Sequence, residues 1–102
     1  ITITATGSGS GITRAIHSVS TNTPADATPG IDQVYLCSGT MTLTLPTAVG
    51  ITNLYTVKNV GTGVVTIATT GGETIDLNPS IQMATQFTSV DLISDTINWN
   101  IT

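Results

Sequence analysis

Short runs in which apolar and polar residues strictly alternate constrain the fold of this chain more than any other feature. The clearest run covers residues 40–45, where Met41, Leu43 and Leu45 alternate with threonines. Successive side chains of a β-strand point to opposite faces of a sheet, so this run predicts a strand with one buried and one solvated face. No window of about ten residues places apolar side chains at helical spacing. The sequence therefore predicts an all-β protein.

Runs of the same kind recur along the chain and are separated by glycine, proline and asparagine, which favour turns. We expect strands at residues 1–6, 12–20, 33–37, 40–45, 54–60, 64–69, 73–77, 81–85, 89–94 and 97–102. Gly61-Thr62-Gly63 separates two of them, and a short loop with glycine predicts a β-hairpin. Many short strands with turns between them are typical of a sandwich or a small barrel. We expect a small antiparallel β-sandwich with jelly-roll-like connections.

The chain divides into an arm and one domain. Residues 1–11 contain an alternating run followed by Gly7-Ser8-Gly9-Ser10-Gly11, a composition typical of flexible linkers. We interpret them as an N-terminal strand or arm with a Gly-Ser linker, which can pair with a neighbour. Residues 12–102 then form a single β-sandwich domain. A domain of this size has a thin core, and oligomerisation is a natural way to stabilise it.

The apolar positions of the strands predict the hydrophobic core. It includes Leu36, Met41, Leu43, Leu45, Tyr55, Val57, Val65, Ile67, Ile75, Leu92, Trp99 and Ile101. Trp99 alternates with two asparagines, as expected for a side chain that points inward. Cys37 ends an apolar run and is interpreted as a small buried side chain, because a reactive thiol needs a basic neighbour that the run lacks.

Ionisable side chains are scarce, and their scarcity excludes several classes of function. The 102 residues contain two basic side chains, six carboxylates and one histidine, with a net charge of −4. Nucleic-acid binding needs clustered Lys and Arg, so no nucleic-acid partner is expected. No run approaches the roughly 18 apolar residues of a membrane span, so no membrane insertion is expected. We expect no catalytic residue, no metal site and no cofactor, and therefore no enzyme.

The acids that come closest together in the sequence are Glu73, Asp76, Asp91 and Asp95. A glycosidase needs two carboxylates about 5–10 Å apart, one of them with a raised pKa, and this is an alternative interpretation. Because Asp favours turns, we expect these acids to cap turns or face solvent. Calcium binding is a second alternative, since hard cations accept carboxylates, although the chain lacks EF-hand spacing.

Two further hypotheses concern single side chains. His17 has no second histidine in the chain, but three copies that meet on the axis of a trimer could share one metal ion. Lys58-Asn59, with an acid nearby, is the kind of pair from which surface adhesins form isopeptide cross-links. Neither hypothesis changes the expectation of a module that acts without a metal and without covalent chemistry.

Candidate ligand-binding residues lie outside the predicted strands. Residues 22–30 contain two prolines and form a predicted loop, and binding residues are frequent on loops over a rigid scaffold. Phe87 lies in a polar stretch, where an exposed aromatic ring can contact a ligand. The candidate ligand-binding residues are Asn22, Thr23, Asp26, Thr28 and Phe87.

An ordered series of motifs covers residues 31–102. Its members are Val34-Tyr35-Leu36, Thr42-Leu43-Thr44-Leu45-Pro46, Tyr55-Thr56-Val57-Lys58-Asn59-Val60-Gly61-Thr62-Gly63, Val65-Thr66-Ile67, Gly72-Glu73-Thr74-Ile75-Asp76, Ser89-Val90-Asp91-Leu92-Ile93-Ser94-Asp95 and Asn98-Trp99-Asn100-Ile101. As a set, they resemble a β-module found widely in tail fibres, tailspikes and other virion surface proteins of tailed phages. The chain has Leu77-Asn78-Pro79 where that family is often glycine-rich, and Ser94-Asp95-Thr96 where Ser-Asp-Gly is usual.

The resemblance implies a virion protein that is usually trimeric and often near the distal tip of a fibre. We therefore expect a tail-fibre or receptor-binding tip domain, a homotrimer that attaches to a host surface glycan or protein by multivalent, non-covalent binding. The arm, residues 1–11, is expected to contact other virion proteins on the surface of the extracellular particle. Two alternatives are a capsid decoration or head-fibre protein that stabilises the shell, and a carbohydrate-active, depolymerase-associated domain. The resemblance assigns no catalytic or binding residue.

Overall fold

The computed structural model describes residues 13–102. The predicted strand at residues 1–6, the Gly-Ser linker and thus the whole predicted arm lie outside these residues. The described chain forms β1 (Thr13–Val19), β2 (Thr23–Pro24), β3 (Ile31–Cys37), β4 (Met41–Thr44), β5 (Tyr55–Asn59), β6 (Val65–Ala68), β7 (Ser80–Met83), β8 (Ser89–Ser94) and β9 (Trp99–Ile101). Within residues 13–102 there is no helix of the length and apolarity that a membrane span requires.

The strands form two sheets that share one core. The five-stranded sheet has the order β1-β3-β5-β8-β9, and the four-stranded sheet has the order β2-β4-β6-β7. Buried and partly exposed side chains alternate strictly along β4, β5 and β6, as the sequence predicts for strands with one face in a core. The prediction of an all-β chain with two sheets around a common core is confirmed.

Three successive segments of the chain stack as coils. The chain passes from β1 to β2, from β3 to β4 and from β5 to β6, and each of these steps crosses from one sheet to the other. In consequence β1, β3 and β5 pair in parallel, and so do β2, β4 and β6. Parallel neighbours need a long crossover connection, and here the strand in the opposite sheet supplies it. Residues 13–68 thus form a short β-solenoid with a repeat of roughly 20 residues.

The prediction that the sheets are antiparallel is wrong for the coils. The predicted hairpin around Gly61-Thr62-Gly63 is also wrong, because β5 and β6 lie in different sheets. These glycines allow two corners of the solenoid to approach each other closely. A Cβ atom at Gly63 would lie 2.5 Å from the carbonyl carbon of Gly39 in the corner below. Antiparallel pairing is confined to the C-terminal strands, where β7, β8 and β9 close the two sheets.

Ten of the twelve predicted core residues are buried: Met41, Leu43, Leu45, Tyr55, Val57, Val65, Ile67, Ile75, Leu92 and Trp99. The prediction that Leu36 is buried in the core is wrong, because it lies between two buried neighbours of β3 and so points away from the core. The prediction for Ile101 is also wrong, because its strand is the last of the sheet and leaves the side chain 37% exposed. The core also contains Ala25, Tyr35, Ala48 and Met83, and Cys37 is buried as predicted.

Two other segments differ from their predictions. The loop predicted at 22–30 includes β2 and the buried Ala25, so it is partly a strand of the four-stranded sheet. The strand predicted at 73–77 is reduced to isolated bridges at Ile75. Asp76 and Leu77 have φ values of 46° and 72°, and this left-handed backbone ends the extended conformation.

Candidate binding surfaces

The predicted binding residues at the start of the 22–30 segment are used to hold the chain in place. The side-chain oxygen Oδ1 of Asn22 accepts a hydrogen bond from the Thr42 N–H at 2.8 Å. The Thr23 hydroxyl donates to the Thr21 carbonyl at 2.8 Å, and Thr23 itself pairs with Leu43 in the sheet. The Asn22 side chain therefore joins the first coil to the second, the Thr23 side chain fastens the turn before β2, and neither is presented as a free contact.

Asp26 and Thr28 form an ordered corner anchored to two core tyrosines. Oδ1 of Asp26 accepts hydrogen bonds from the Thr28 hydroxyl at 2.6 Å and the Thr28 N–H at 2.8 Å. The Thr28 side chain is the main reason that the pKa of Asp26 lies below its ordinary value. The Asp26 N–H donates to the Tyr35 hydroxyl at 2.7 Å, and the Tyr55 hydroxyl donates to the Asp26 carbonyl at 2.5 Å. Burial raises the pKa of both tyrosines, so these anchors keep their protons up to strongly alkaline pH.

Phe87 is the one predicted contact residue whose side chain is largely free, being 64% exposed. Its backbone lies in the left-handed region at φ 67°, and its N–H donates to the Asn59 carbonyl at 2.6 Å. The ammonium of Lys58 lies 5.7 Å from the centre of the ring, within the range of a cation–π contact. Phe87 lies at the end of β5 and Asp26 is anchored at its start, which is roughly 13 Å away. The structure therefore does not bring the five predicted residues into one site.

A groove of about 350 Å³ lies at the C-terminal end of the molecule. Its lining combines carboxylates, amides and one exposed aliphatic side chain: Thr74, Asp76, Leu77, Asp95, Asn98, Trp99 and Asn100. Leu77, the aliphatic residue of this lining, is 90% exposed. The groove is of the size of small-ligand sites and has hydrogen-bond donors and acceptors but no cationic side chain. Such a lining suits a neutral, hydroxyl-rich ligand better than an anion.

The two carboxylates of the groove are occupied by the turns that hold them. Oδ1 of Asp95 accepts hydrogen bonds from the N–H groups of Asn98 at 2.7 Å and Ile97 at 3.0 Å. These bonds, that of Asn98 first, hold the pKa of Asp95 below its ordinary value. Oδ1 of Asp76 accepts from the Ile101 N–H at 3.2 Å. A glycosidase needs an acid with a raised pKa, and Asp95 is shifted in the opposite direction.

The other acids of the predicted cluster lie elsewhere. Glu73 accepts hydrogen bonds from the Thr47 hydroxyl at 2.6 Å and the Ala48 N–H at 2.8 Å. Asp91 accepts one from the Thr56 hydroxyl at 2.7 Å. Residues 13–102 contain no group of three or more His, Cys, Asp or Glu side chains placed to hold a metal ion. The acids mostly fasten turns and strands, in keeping with the turn preference of Asp.

His17 and Lys58 do not have the surroundings that their hypotheses require. The His17 ring stacks on Tyr35 at a centroid distance of 4.5 Å, and its Nε2 lies 2.6 Å from Oε1 of Gln33. The ring thus packs on the interior of the second coil and not on an outer axis. Lys58 points outward from β5 while Asn59 is buried, so the two side chains lie on opposite faces of the sheet. This geometry does not support an isopeptide bond between them.

Cys37 and Asn59 occupy neighbouring interior positions at one corner of the coils. Burial raises the pKa of the Cys37 thiol to about 11, which leaves it protonated at neutral pH. Nδ2 of Asn59 donates to the carbonyls of Met83 at 2.8 Å and Gly63 at 2.9 Å, while its Oδ1 accepts from the Gly61 N–H at 3.0 Å. No buried side-chain nitrogen or oxygen in residues 13–102 lacks a hydrogen-bond partner. These interior polar groups are structural.

The outer faces of the two sheets differ in composition, which the sequence reasoning missed. The five-stranded sheet points four aliphatic side chains away from the core: Ile16, Val34, Leu36 and Ile93. The four-stranded sheet points only small or polar ones outward: Pro24, Thr42, Thr44, Thr66, Ala68, Ser80 and Gln82. One signal was present in the sequence, because the run Val34-Tyr35-Leu36-Cys37 is apolar on both faces.

Comparisons with known protein families and with curated protein sequences find no match to this chain.

Proposed function

We propose that this chain is a structural module of a phage virion, a tail-fibre or receptor-binding tip domain that binds a host surface without covalent chemistry. The coils carry the proposal: parallel strands stack into a rigid body whose four-stranded sheet faces outward with threonine, serine and glutamine. Such a face hydrates without charge and offers few cleavage sites for trypsin-like proteases. The resemblance of residues 31–102 to virion β-modules supports the same proposal, and with it we propose that the module lies on the surface of the extracellular particle.

Binding is assigned to two separate features of residues 69–102, which lie toward opposite ends of β8. Phe87 presents a mostly exposed ring, and the groove beside Asp76 and Asp95 presents amide and carboxylate groups. Aromatic faces and paired polar groups are what sugars bind to, because a ring covers the apolar face of a sugar while amides and carboxylates meet its hydroxyls. Each contact is weak. A homotrimer would present three copies of each feature and gain avidity from their number.

The test is binding of the labelled chain, residues 1–102, to immobilised lipopolysaccharides, capsular polysaccharides and peptidoglycan fragments, with release of oligosaccharides measured in parallel. We expect binding without release, and about a tenfold loss of binding in Phe87→Ala. Val49→Ala is the matched control, because Val49 is 66% exposed but lies in the segment that precedes β5, away from Phe87. Release of oligosaccharides would support the depolymerase-associated alternative, and equal binding by both variants would contradict the assignment to Phe87.

A capsid decoration or head-fibre protein is the second candidate. The aliphatic outer face of the five-stranded sheet favours it, since such a face can rest on a shell as well as on another copy. Co-sedimentation of the chain with empty capsids, together with no binding to any of the glycans, would replace the first proposal with this one.

A further inference from the structure

We infer that the end of the molecule at Phe87 binds an acidic sugar, through the aromatic ring of Phe87 and the ammonium of Lys58. The inference rests on the proposed function, because it names the class of glycan that one of the two binding features accepts. We call this surface the Phe87 corner and define it as Lys58 with residues 59–64 and 85–88. The two segments lie together because the Phe87 N–H donates to the Asn59 carbonyl at 2.6 Å.

Phe87 occupies a position of a turn that favours glycine. The Thr88 N–H donates to the Thr85 carbonyl at 3.3 Å, which closes a four-residue turn with Phe87 in the third position. Its φ of 67° is the left-handed conformation that the third position of a type II turn requires, and glycine or asparagine usually supplies it. A bulky residue is strained there, and the side chain is 64% exposed. Neither the backbone conformation nor burial therefore accounts for a phenylalanine at this position.

A cation lies beside this ring. The Lys58 ammonium is 5.7 Å from the ring centre. In the sheet, Lys58 lies opposite Leu36 on one side and Ser89 on the other, so neither residue opposite it carries a charge. The nearest acid along β8 is Asp91, two residues further on, and its Oδ1 accepts a hydrogen bond from the Thr56 hydroxyl at 2.7 Å. The ammonium is thus placed to meet an anionic group of a molecule that contacts the ring.

The acidic side chains are concentrated at the opposite end of the strands. Five of the six carboxylates lie toward the start of β3 and β5 or the end of β8: Asp26, Asp32, Glu73, Asp76 and Asp95. The Phe87 corner contains none of the six, and Lys58 is its only ionisable side chain. The two ends are separated by the length of β8, roughly 16 Å, which is about twice the screening length at physiological salt. The corner is therefore locally cationic, although the chain carries −4 overall.

A sugar with one carboxyl group matches this combination of ring and cation. The apolar face of a sugar ring can stack on an aromatic side chain, and a carboxylate on the same sugar then reaches the ammonium. Lysine acts as a point charge and does not require the bidentate geometry that arginine imposes. An acidic peptide offers the charge but no apolar ring face, and a nucleic acid needs clustered cations where this corner has one. The groove has two carboxylates and no cationic side chain, so the same ligand is not expected to bind there.

The experiment is NMR titration of the full chain with short oligosaccharides of galacturonate, glucuronate and sialate, each beside its carboxyl-reduced form. We expect at least one acidic oligosaccharide to bind about threefold to fivefold more tightly than its reduced form, as an exposed ion pair allows, and the preference to fade at about 1 M salt. Lys58→Met should abolish the preference and leave binding of the reduced form unchanged. Arg14→Met is the matched control, because it removes the same charge near the start of β1 and should keep the preference.

Phe87→Gly tests the ring without harming the fold. Glycine favours the left-handed position of the turn, so the urea midpoint of this variant should stay the same or rise. Binding of both the acidic and the reduced sugar should fall about tenfold, because the stacking surface is lost. A urea midpoint that falls would show that the ring serves packing, and would overturn the inference.

The remaining outcomes separate this inference from the proposed function. Equal binding of the acidic and reduced forms, equal loss of the preference in Lys58→Met and Arg14→Met, or equally tight binding of hexaglutamate each overturns the inference. Binding of neutral glycans that depends on Phe87 would leave the attachment proposal standing while this inference fails. Preferential binding of an acidic sugar that is then cleaved would support the inference and contradict attachment without covalent chemistry.

Discussion

The stacked coils and the C-terminal strands contain the same residue types but differ in strand pairing and in backbone conformation. In the coils, residues 13–68, neighbouring strands are parallel, and the close corner at Gly63 is made by a residue without a side chain. From residue 69 onward the strands pair antiparallel, apart from one isolated parallel bridge between Ile75 and Trp99. The four non-glycine residues with positive φ in the described chain all lie there: Asp76, Leu77, Phe87 and Thr96. Several of its turns also leave aliphatic or aromatic side chains exposed.

The difference separates the residues that stabilise the fold from the exposed residues that are candidates for binding. Backbone strain and exposed apolar side chains are costly, and both are frequent at binding sites. Here they occur together at Leu77, beside the groove, and at Phe87, two places that lie toward opposite ends of β8. The coils, by contrast, contain most of the buried core residues. We therefore expect substitutions in the coils to change the free energy of unfolding strongly, and substitutions at the C-terminal end to change it little or even favourably.

The largest expected effect is that of Gly63→Ala. The added methyl group would overlap the backbone of Gly39 and Thr40, which cannot move without opening the corner. We expect a loss of about 3 kcal/mol or more in the free energy of unfolding, measured with urea. Gly50→Ala is the control, because its Cβ meets nothing within 4 Å and only its φ of 76° opposes the change, at about 1 kcal/mol. Equal losses of unfolding free energy in the two variants would contradict the role assigned to the corner at Gly63.

Asn59→Ala is expected to have the next largest effect. It leaves the Gly63 and Met83 carbonyls and the Gly61 N–H without their partner, at a cost of about 2–4 kcal/mol. The control is Asn78→Ala at the other end, where an exposed side chain donates only to the Asp76 carbonyl and the expected loss is below about 1 kcal/mol. A larger loss in the control would show that the strained turn, and not the coil corner, depends on its asparagine.

Leu77→Asn is expected to stabilise the protein. Leu77 has a φ of 72° and is 90% exposed, so it has strain and almost no packing to lose. Asparagine tolerates the left-handed region, and we expect a gain of about 0.5–1 kcal/mol in urea unfolding. Ile97→Asn is the matched control, an exposed aliphatic residue without a positive φ, and should give no gain. A lower free energy of unfolding in Leu77→Asn would mean that this exposed side chain contributes to the stability of the fold.

The smallest expected effect is the pH dependence at Asp95. Its pKa is lowered in the folded state by the N–H groups of Asn98 and Ile97, so its ionised form stabilises the fold above the ordinary carboxyl pKa, and that stabilisation fades as the pH falls through the folded pKa. Asp95→Asn should therefore melt at a slightly lower temperature than the wild type at pH 7. The difference should shrink in acid, as thermal melts at pH 7 and near pH 2.5 would show. A difference that does not change with pH would contradict this role.

Alternation was sufficient to predict the strands but not their partners. Residues 40–45 gave the correct inward side chains, since the period of a strand depends only on the backbone. Which strand pairs with which is decided by where the chain turns, and Gly61-Thr62-Gly63 looks like a hairpin loop in the sequence. The space that makes Gly63 necessary is created by Gly39 and Thr40, which lie in another coil. No local pattern contains that information.

The candidate binding surfaces were only partly predictable for the same reason. Phe87 stood out as an aromatic residue in a polar stretch, and it is exposed. Asp26 and Thr28 also look like loop contacts in the sequence. The Asp26 backbone, however, hydrogen-bonds to the hydroxyls of Tyr35 and Tyr55, and Tyr55 is remote from it in the sequence. The groove joins Thr74 to Asn98 and Asp76 to Ile101, pairs that come together only when the C-terminal strands close the sheets.

Because the coils stack, the length of the solenoid is set by its number of turns. Each turn of the chain adds about 4.8 Å along the stack and uses roughly 20 residues. A duplication or deletion of one whole turn would lengthen or shorten the module by one step and keep every aliphatic residue on its side. A shift by a single residue would reverse the sides, exposing Leu43 and burying Thr42. Insertion or deletion of whole turns would therefore change the length of the solenoid in fixed steps while the C-terminal strands stay the same.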